Sequence, residues 1–179
     1  IVIDDCSTDN SLQVISNYNK FIDLKIINNN VNRGQSYCIY NGIKSSKSNT
    51  IITLDCDGQN NPIDIPKLFK IYKENEKISL VGGIRKQRKD KILKIVSSKI
   101  ANYLRMFILK DNCLDTGCSL KVFDKKCFLM YPYFDGIHRF IPALFSGLDK
   151  KTLFVNVDHR SREHGVSNYG TIGRAFRGI

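Results

Sequence analysis

Short apolar runs alternate with amphipathic segments along the first 84 residues. The runs at residues 1–3, 24–27, 50–54 and 78–81 are rich in β-branched side chains and are bounded by polar residues, so we predict four buried strands. The pattern between them predicts helices from about residue 8 to 19, 35 to 43 and 64 to 76. Strands and helices that alternate at this short spacing predict an α/β fold with an open, mostly parallel sheet flanked by helices.

The hydrophobic pattern continues from residue 85 onward. It predicts a helix at about 91–109, a short strand at 120–123, a helix that opens near 138 and a strand at 152–157. Residues 159–170 are basic, small and polar, which is typical of a lid or binding loop. The last residues begin a basic amphipathic helix that suits a membrane surface. A chain of 179 residues fits a single domain.

Polar clusters follow three of the predicted strands at their carboxyl ends. Ligands of open α/β sheets bind at that edge, so we expect the three clusters to converge on one site. Their members are Asp4 and Asp5 after the first strand, Asn32, Arg33 and Gly34 after the second, and Asp55 and Asp57 after the third. The amides at a helix start and the arginine of the second cluster would suit a phosphate. The alternative for this cluster is an ordinary turn into a helix.

Asp55 and Asp57 are one residue apart at the end of a strand, where alternate side chains share a face. Gly58 allows a sharp turn directly after them. Neighbouring carboxylates repel each other unless a cation lies between them, and a hard divalent cation shared with substrate phosphates is a common solution. The pair therefore indicates a metal site. The alternative is a strand-to-helix loop with two solvated acids.

The formal net charge of +11 is concentrated in the second part of the chain. Residues 1–84 contain nine basic and nine acidic side chains, whereas residues 85–179 contain 19 basic and 8 acidic ones. This division predicts that the second part faces an anion: lipid headgroups, a phosphate substrate or nucleic acid. No zinc-finger spacing, RNA-recognition motif or aromatic-interleaved groove accompanies the charge, so we do not expect nucleic acid as a partner.

Cysteine spacing and hydropathy narrow the class of protein further. The six cysteines are scattered without a C-x-x-C pair, which favours free thiols in a reducing compartment. No apolar run approaches 18 residues, so the sequence predicts no bilayer-spanning helix. The chain opens directly on a strand and stops within an amphipathic pattern, so we expect a fragment of a longer protein.

Five stretches together resemble family 2 glycosyltransferases with the GT-A fold. Residues 1–9 resemble the family's nucleotide-binding opening, and residues 54–59 resemble its metal-binding Asp-x-Asp strand end. Residues 115–118, 138–140 and 162–169 are similar to motifs of the dolichol-phosphate mannosyltransferase-like branch, which uses polyprenyl phosphates. The resemblance covers nearly the whole chain and implies a GT-A sheet whose N-terminal strand is missing from this sequence. It also implies a donor-binding part at about 1–84 and an acceptor- and membrane-facing part at about 85–179.

The resemblance implies an inverting transfer of a sugar from a GDP-mannose or UDP-hexose type donor to a polyprenyl or dolichyl phosphate. The implied nucleotide-sugar contacts are Asp4, Asp5, Asn32, Arg33, Gly34 and Asp55. The implied ligands of Mg²⁺ or Mn²⁺ are Asp55, Asp57 and Gln59. The implied catalytic residues are Asp55, Asp57, Asp115 and Arg139. The residues implied to steer the acceptor phosphate or to close over the site are Arg85, Arg88, Arg162, His164 and Ser167.

Two alternatives stay open at this point. One is a family 2 enzyme with a glycan or other non-lipid acceptor. The other is a non-catalytic module whose basic part rests on an anionic surface. For the polyprenyl-phosphate glycosyltransferase that the resemblance implies, we expect a peripheral protein at the cytoplasmic face of a membrane, in contact with anionic lipid. The sequence does not identify the sugar or the nucleobase, and it leaves a homo-oligomer open.

Overall fold

The computed structural model describes residues 1–86, 103 and 105–160 of the chain. Its strands are β1 (Val2–Asp4), β2 (Ile26–Asn28), β3 (Thr50–Thr53), β4 (Ile78–Arg85), β5 (Lys121–Asp124) and β6 (Lys151–Val157). Its longer helices are α1 (Ser11–Asn17), α2 (Gln35–Ser45), α3 (Ile65–Glu74), α4 (Lys125–Leu129) and α5 (Ile137–Gly147). Short 3-10 turns at Tyr18–Lys20 and Pro62–Asp64 follow α1 and precede α3.

The described strands form two hydrogen-bonded sheets. β1 and β2 pair in parallel, and β3, β5, β4 and β6 form a four-stranded sheet in that order. β3 and β4 both run antiparallel to β5, and β6 runs parallel to β4, so three of the four strands point the same way. The predicted mostly parallel α/β sheet is therefore confirmed, with β5 as its reversed strand. Because β5 lies between β3 and β4, the two predicted parts of the chain share one sheet.

The first helix begins later than the sequence predicts. A cap at Ser7 or Thr8 is expected, but α1 begins at Ser11. The backbone amide and the hydroxyl of Ser7 instead donate to the buried Asp4 carboxylate. Asp9 Oδ1 accepts from the Ser11 amide at 2.9 Å. The residues after β1 therefore form a polar turn that fixes the end of the strand.

Two further element boundaries differ from the predictions. α4 follows β5 directly and is capped by Asp124, whose carboxylate accepts from the Cys127 amide at 2.8 Å. Its five residues are too few to show a helical period in the sequence. β4 extends to Arg85, beyond the predicted end at residue 81. Of the predicted helix at 91–109, residues 103 and 105–109 are described, and they are helical.

Two apolar clusters cover opposite faces of the four-stranded sheet. Leu80 and Phe123 belong to the cluster that includes residues of α2, α4 and α5. Val81 and Val122, their neighbours along the strands, belong to the cluster that includes Leu68 of α3. Successive strand residues point to opposite faces, so helices cover both sides of the sheet. Among the described residues, the structure contains no helix with the length and apolar character needed to cross a bilayer.

Candidate active site

Asp5 orders the loop that follows β2. Its carboxylate accepts hydrogen bonds from the backbone amides of Arg33 at 2.8 Å and Gly34 at 2.7 Å. The side-chain amide of Asn29 donates to the same carboxylate at 2.8 Å, and that of Asn32 donates to the Asp5 carbonyl at 3.3 Å. Partial burial raises the pKa of Asp5, but the hydrogen bonds favour the charged form and hold the pKa below its ordinary value. The first two predicted clusters therefore meet.

Gly34 joins this loop to α2 and to the third cluster. It precedes the helix with a φ of 81°, in the left-handed region that glycine adopts most easily. The turn makes Gln35 the first residue of α2, and the Gln35 side chain donates to Asp55 Oδ1 at 3.1 Å. A chain of hydrogen bonds thus connects the ends of β1, β2 and β3. The roles predicted for these residues toward a nucleotide-sugar stay predictions.

Ser119 fixes the end of β3 and the loop beyond it. Its hydroxyl accepts from the Asp55 amide at 3.1 Å and from the Asn60 side chain at 2.8 Å. Its carbonyl accepts from the Thr53 hydroxyl at 2.6 Å. Both ends of the segment that carries the two carboxylates are therefore held by one residue that precedes β5.

The two carboxylates after β3 lie on one side of the chain. Asp55 and Asp57 are half-buried, whereas Cys56 between them is exposed, as a shared face requires. Burial raises the pKa of Asp55, and the negative charge of Asp57 raises it further. Asp57 Oδ1 accepts from the Gln59 amide at 3.1 Å across the turn at Gly58, which has a φ of 75°. A cation bound here would stabilise the charged form of both acids.

These donors fit Mg²⁺ or Mn²⁺. Carboxylate and amide oxygens are ligands that hard cations prefer, and Asp55, Asp57 and Gln59 supply them. Within the described residues, no group of three or more His, Cys, Asp or Glu side chains gathers around one point. Water or substrate phosphate would therefore complete the coordination, which is usual for Mg²⁺. The residues fit a metal that is shared with a diphosphate.

The segment after β6 begins beside this carboxylate pair. Asn60 and His159 form an isolated antiparallel bridge. The Arg160 amide donates to the Gln59 carbonyl at 2.8 Å, and the Arg160 guanidinium donates to Asn61 Oδ1 at 3.1 Å. The predicted lid at 159–170 therefore starts next to the predicted metal ligands. The predicted residues Arg162, His164 and Ser167, and Arg88 of the basic cluster, lie outside the described residues.

Arg85 and Asp115 hold each other in a bidentate ion pair. Nε donates to Oδ2 and Nη2 to Oδ1, each at 2.7 Å, and the Arg85 amide donates to Oδ2 at 3.2 Å. The side chains are only 12% and 7% exposed. A Cβ added at Gly117 would lie 2.7 Å from Arg85 Nη2, so a side chain there would require the guanidinium to move. The sequence predicts an acceptor-phosphate role for Arg85 and a catalytic role for Asp115, and the structure pairs these two residues.

Lys121 places a buried amine beneath the site. The residue is 3% exposed, and its Nζ donates to the Cys118 carbonyl. Burial lowers the pKa of Lys121, and the charges of nearby acidic groups, including Asp115 and Asp55, oppose that shift. The Lys121 charge in turn favours ionised Asp55. Sequence reasoning missed this residue because a lysine inside a strand carries no sign of burial.

Ser36 links the start of α2 to the start of α5. Its hydroxyl accepts from the Gly136 amide at 2.8 Å and lies 2.8 Å from His138 Nδ1. Burial lowers the pKa of His138 to about 4, and the positive charges of Arg139 and Lys121 contribute to that shift. His138 is therefore neutral at pH 7. Arg139, a predicted catalytic residue, lies in the first turn of α5 beside this link.

His138 predicts a loss of stability in mild acid. Between about pH 6.5 and about pH 4 the unfolded chain binds a proton that the folded chain does not, so the free energy of unfolding falls as the pH falls through this window. The expected loss is about 3 kcal/mol. Urea unfolding at a series of pH values measures it. His138→Asn should flatten the slope in this window. An equal slope in wild type and His138→Asn would contradict the assignment.

Four residues of the site were not predicted as functional residues from the sequence. Each acts through a contact with a residue far away in the chain, such as Gln35 with Asp55 or Ser119 with Asn60. Gln35 directly follows the predicted residue Gly34, and this position is the sequence feature that could have identified it, whereas the other three do not adjoin a predicted site residue. The four residues are Gln35, Ser36, Ser119 and Lys121.

Solved structures with the same fold are those of a sugar-transferring enzyme. The chain aligns with glucosyl-3-phosphoglycerate synthase from Mycobacterium tuberculosis in complex with Mn²⁺ and uridine-diphosphate-glucose. The TM-score is 0.69 at 16% identity, over 99% of this chain and 64% of that chain. A structure of the same enzyme with Mg²⁺ and uridine-diphosphate gives a TM-score of 0.68 at 17% identity, over 93% of this chain and 60% of that one. The predicted GT-A fold is therefore confirmed.

The sequence comparisons identify the family. The model for "Glycosyl transferase family 2" matches residues 1–129, so the chain belongs to glycosyl transferase family 2, as predicted. It is 37% identical over 184 aligned positions to dodecaprenyl-phosphate galacturonate synthase from Rhizobium johnstonii, covering 100% of this chain and 54% of that protein. It is 33% identical over 172 positions to undecaprenyl-phosphate 4-deoxy-4-formamido-L-arabinose transferase from Shewanella sediminis, covering 95% and 51%. The chain spans about half the length of these curated relatives.

Proposed function

We propose that the protein transfers a sugar from a nucleotide-sugar to a polyprenyl phosphate. The observation that carries the proposal is the continuous set of hydrogen bonds from Asp5 through the 32–34 loop and Gln35 to Asp55. These hydrogen bonds bring the 32–34 loop, the start of α2 and a carboxylate pair that fits a divalent metal to one edge of the sheet. The relatives named for dodecaprenyl and undecaprenyl phosphate support the class of acceptor.

The donor occupies the edge formed by β1, β2 and β3. The Arg33 side chain and the first amides of α2 face the phosphate oxygens. The Arg33 and Gly34 amides are held by the Asp5 carboxylate, and Asp4 holds the turn after β1 beside the nucleoside. Asp55, Asp57 and Gln59 hold Mg²⁺ or Mn²⁺ against the diphosphate. When bound, the metal neutralises charge that develops on the leaving nucleoside diphosphate.

The acceptor phosphate attacks the anomeric carbon from the side opposite the diphosphate. One phosphate oxygen forms the new bond to the sugar, the bond from the sugar to the diphosphate oxygen breaks, and the configuration inverts. The phosphate is already an anion, so no protein group needs to remove a proton from it. Arg139 steers it from the first turn of α5. Residues 1–84 bind the donor and residues 85–179 face the acceptor and an anionic membrane surface, with the protein peripheral at the cytoplasmic face.

Metal-dependent nucleotide binding tests this proposal. The full-length protein should bind UDP or GDP at least about tenfold more tightly with Mn²⁺ than with EDTA, because the metal joins the carboxylate pair to the diphosphate. Isothermal titration calorimetry measures both affinities. A hexose should then move from the preferred nucleotide-sugar to undecaprenyl phosphate. Equal affinity with and without metal, together with no transfer, would favour a non-catalytic surface-binding module instead.

A further inference from the structure

An apolar groove opens on the surface next to α5. Its cavity has a volume of about 360 Å³, and every lining residue is apolar or aromatic. The hydroxyl of Tyr131, the most polar group among these residues, donates to the Leu144 carbonyl at 3.0 Å and is satisfied within the protein. We call this feature the aromatic groove. It is lined by Leu109, Tyr131, Phe134, Phe140, Ala143 and Leu144.

The rim of the aromatic groove exposes large apolar side chains. Phe107 is 80% exposed and Ile108 is 73% exposed, and they directly precede Leu109 of the lining. Met130, which directly precedes Tyr131, is 66% exposed. Neighbouring exposed apolar residues of this size mark a surface that binds an apolar ligand or a membrane.

The wall that carries Leu109 is anchored to the core. The Arg105 guanidinium donates to the buried Asp111 carboxylate and to the Cys113 carbonyl. On the opposite wall, the rings of Phe134 and Phe140 pack with their centroids 6.0 Å apart. Both walls are thus held by contacts that do not depend on a ligand.

Aromatic contacts connect a neighbour of the aromatic groove to α2. Tyr133 precedes Phe134 of the lining and packs against two rings of α2, Tyr37 at 6.1 Å and Tyr40 at 5.4 Å. The Arg33 guanidinium of the 32–34 loop lies over the Tyr37 ring at 5.3 Å. The residue next to Phe134 therefore packs on α2, the helix whose first residue, Gln35, donates to Asp55.

The charge distribution along this surface matches an amphiphile with one anionic end. At the active-site end, the positive charges of Arg139 and Lys121 act together on His138. The start of α5 adds the partial positive charge of its backbone amides. Away from that end, none of the described residues that line the groove is charged. An anion with a long apolar tail would place its head near Arg139 and its tail along the groove.

We propose that the aromatic groove binds the isoprenoid units next to the phosphate of the acceptor lipid. This inference rests on the proposed function, because it gives a place to the tail of that substrate. The groove is open on its outer side, where Phe134 is 37% exposed, so the remaining chain can continue into the bilayer. A preference for lipid over soluble phosphates then comes from this groove, and the nucleotide-sugar is bound elsewhere.

Transfer to acceptors of increasing chain length tests the proposal. The probes are monophosphates with one, two, three and eleven isoprenoid units, presented to the full-length protein in detergent. In the wild type, kcat/KM should rise over the first units and then level. Ala143→Leu, which fills the groove, and Phe134→Ser, which removes one wall, should each lower kcat/KM for the long acceptors about tenfold through KM. Both should leave the one-unit acceptor and the KM of the donor unchanged. Phe21→Ser is the matched control, since Phe21 is 81% exposed and follows α1 far from α5 in the sequence.

The outcomes of this experiment test the groove and the proposed function separately. A wild type that transfers to no polyprenyl phosphate would overturn the proposed function. A wild type that transfers, with variants that keep its chain-length profile, would overturn the groove alone. If both variants sediment less with phosphatidylcholine vesicles that lack acceptor, the groove binds bulk lipid. If the variants change the oligomeric state, the groove binds a second copy of the chain. Either result would overturn the proposal. Unchanged donor binding by both variants shows that they are folded, so a lost profile then supports the groove.

Discussion

Asp57→Asn will lower the rate of sugar transfer at least about a hundredfold while the fold is retained. The substitution removes the negative charge of one predicted metal ligand, and a metal bound there would stabilise the leaving diphosphate by several kcal/mol. A loss of about 3 kcal/mol in the transition state corresponds to roughly a hundredfold in rate. The fold is expected to survive because Asp57 lies in a loop, and asparagine keeps the oxygen that accepts from the Gln59 amide. The measurement is kcat/KM with undecaprenyl phosphate over a range of Mn²⁺ concentrations.

Asp23→Asn is the matched control for this experiment. Asp23 is exposed and precedes β2, at the amino end of the strand and away from the carboxyl edge that carries the site. It should retain wild-type transfer and wild-type metal-dependent nucleotide binding. Asp57→Asn should lose the metal dependence of nucleotide binding as well as transfer. Unchanged turnover of Asp57→Asn at saturating Mn²⁺ would remove Asp57 from the metal site.

The convergence of polar residues at one edge could be predicted because it follows from strand direction. β1 and β2 are parallel, so the groups that follow them must meet, and Asp5 does bind the 32–34 loop. The shared face of Asp55 and Asp57 follows in the same way from the period of two along a strand. Each inference uses only neighbours in sequence and a rule about sheets.

The contacts across the sheet could not be predicted. β5 has the apolar pattern of any short strand, and nothing in that pattern shows that it lies reversed between β3 and β4. This placement brings Ser119 to the end of β3 and buries Lys121 beneath Asp55. A polar residue next to a strand is as compatible with solvent as with a buried contact, until the pairing of the strands is known.

Arg85 shows how composition can mislead about an individual side chain. It is the last residue of β4 and the first of the basic stretch, where an excess of positive charge predicts an anion as partner. The structure gives it the carboxylate of Asp115, 30 residues later, and the two side chains are almost fully buried together. A guanidinium has five N–H donors, and two of them hold Asp115. The pair therefore supports the fold, and the role of Arg85 toward the acceptor stays a prediction.

Breaking this ion pair will separate its structural role from its functional role. Asp115→Ala leaves the Arg85 guanidinium buried without its carboxylate, and the removal of one partner from a buried pair costs about 3–5 kcal/mol of unfolding free energy. The double variant Arg85→Met and Asp115→Leu replaces both charges with apolar groups. Such replacements are often neutral, so the double variant should recover most of the lost stability. Urea unfolding of the wild type, the single variant and the double variant measures this coupling.

Transfer by the same variants then decides what Arg85 does. If Arg85 also steers the acceptor phosphate, as the sequence predicts, the double variant should be stable and yet transfer at least about tenfold more slowly than wild type, because methionine offers no donor to phosphate. The KM for the acceptor should rise while nucleotide binding stays intact, since the hydrogen bonds that order the 32–34 loop come from Asp5. A double variant that regains both stability and wild-type transfer would restrict Arg85 and Asp115 to the fold. In that case Arg139, in the first turn of α5, would be the cation among the described residues that remains predicted to meet the acceptor phosphate.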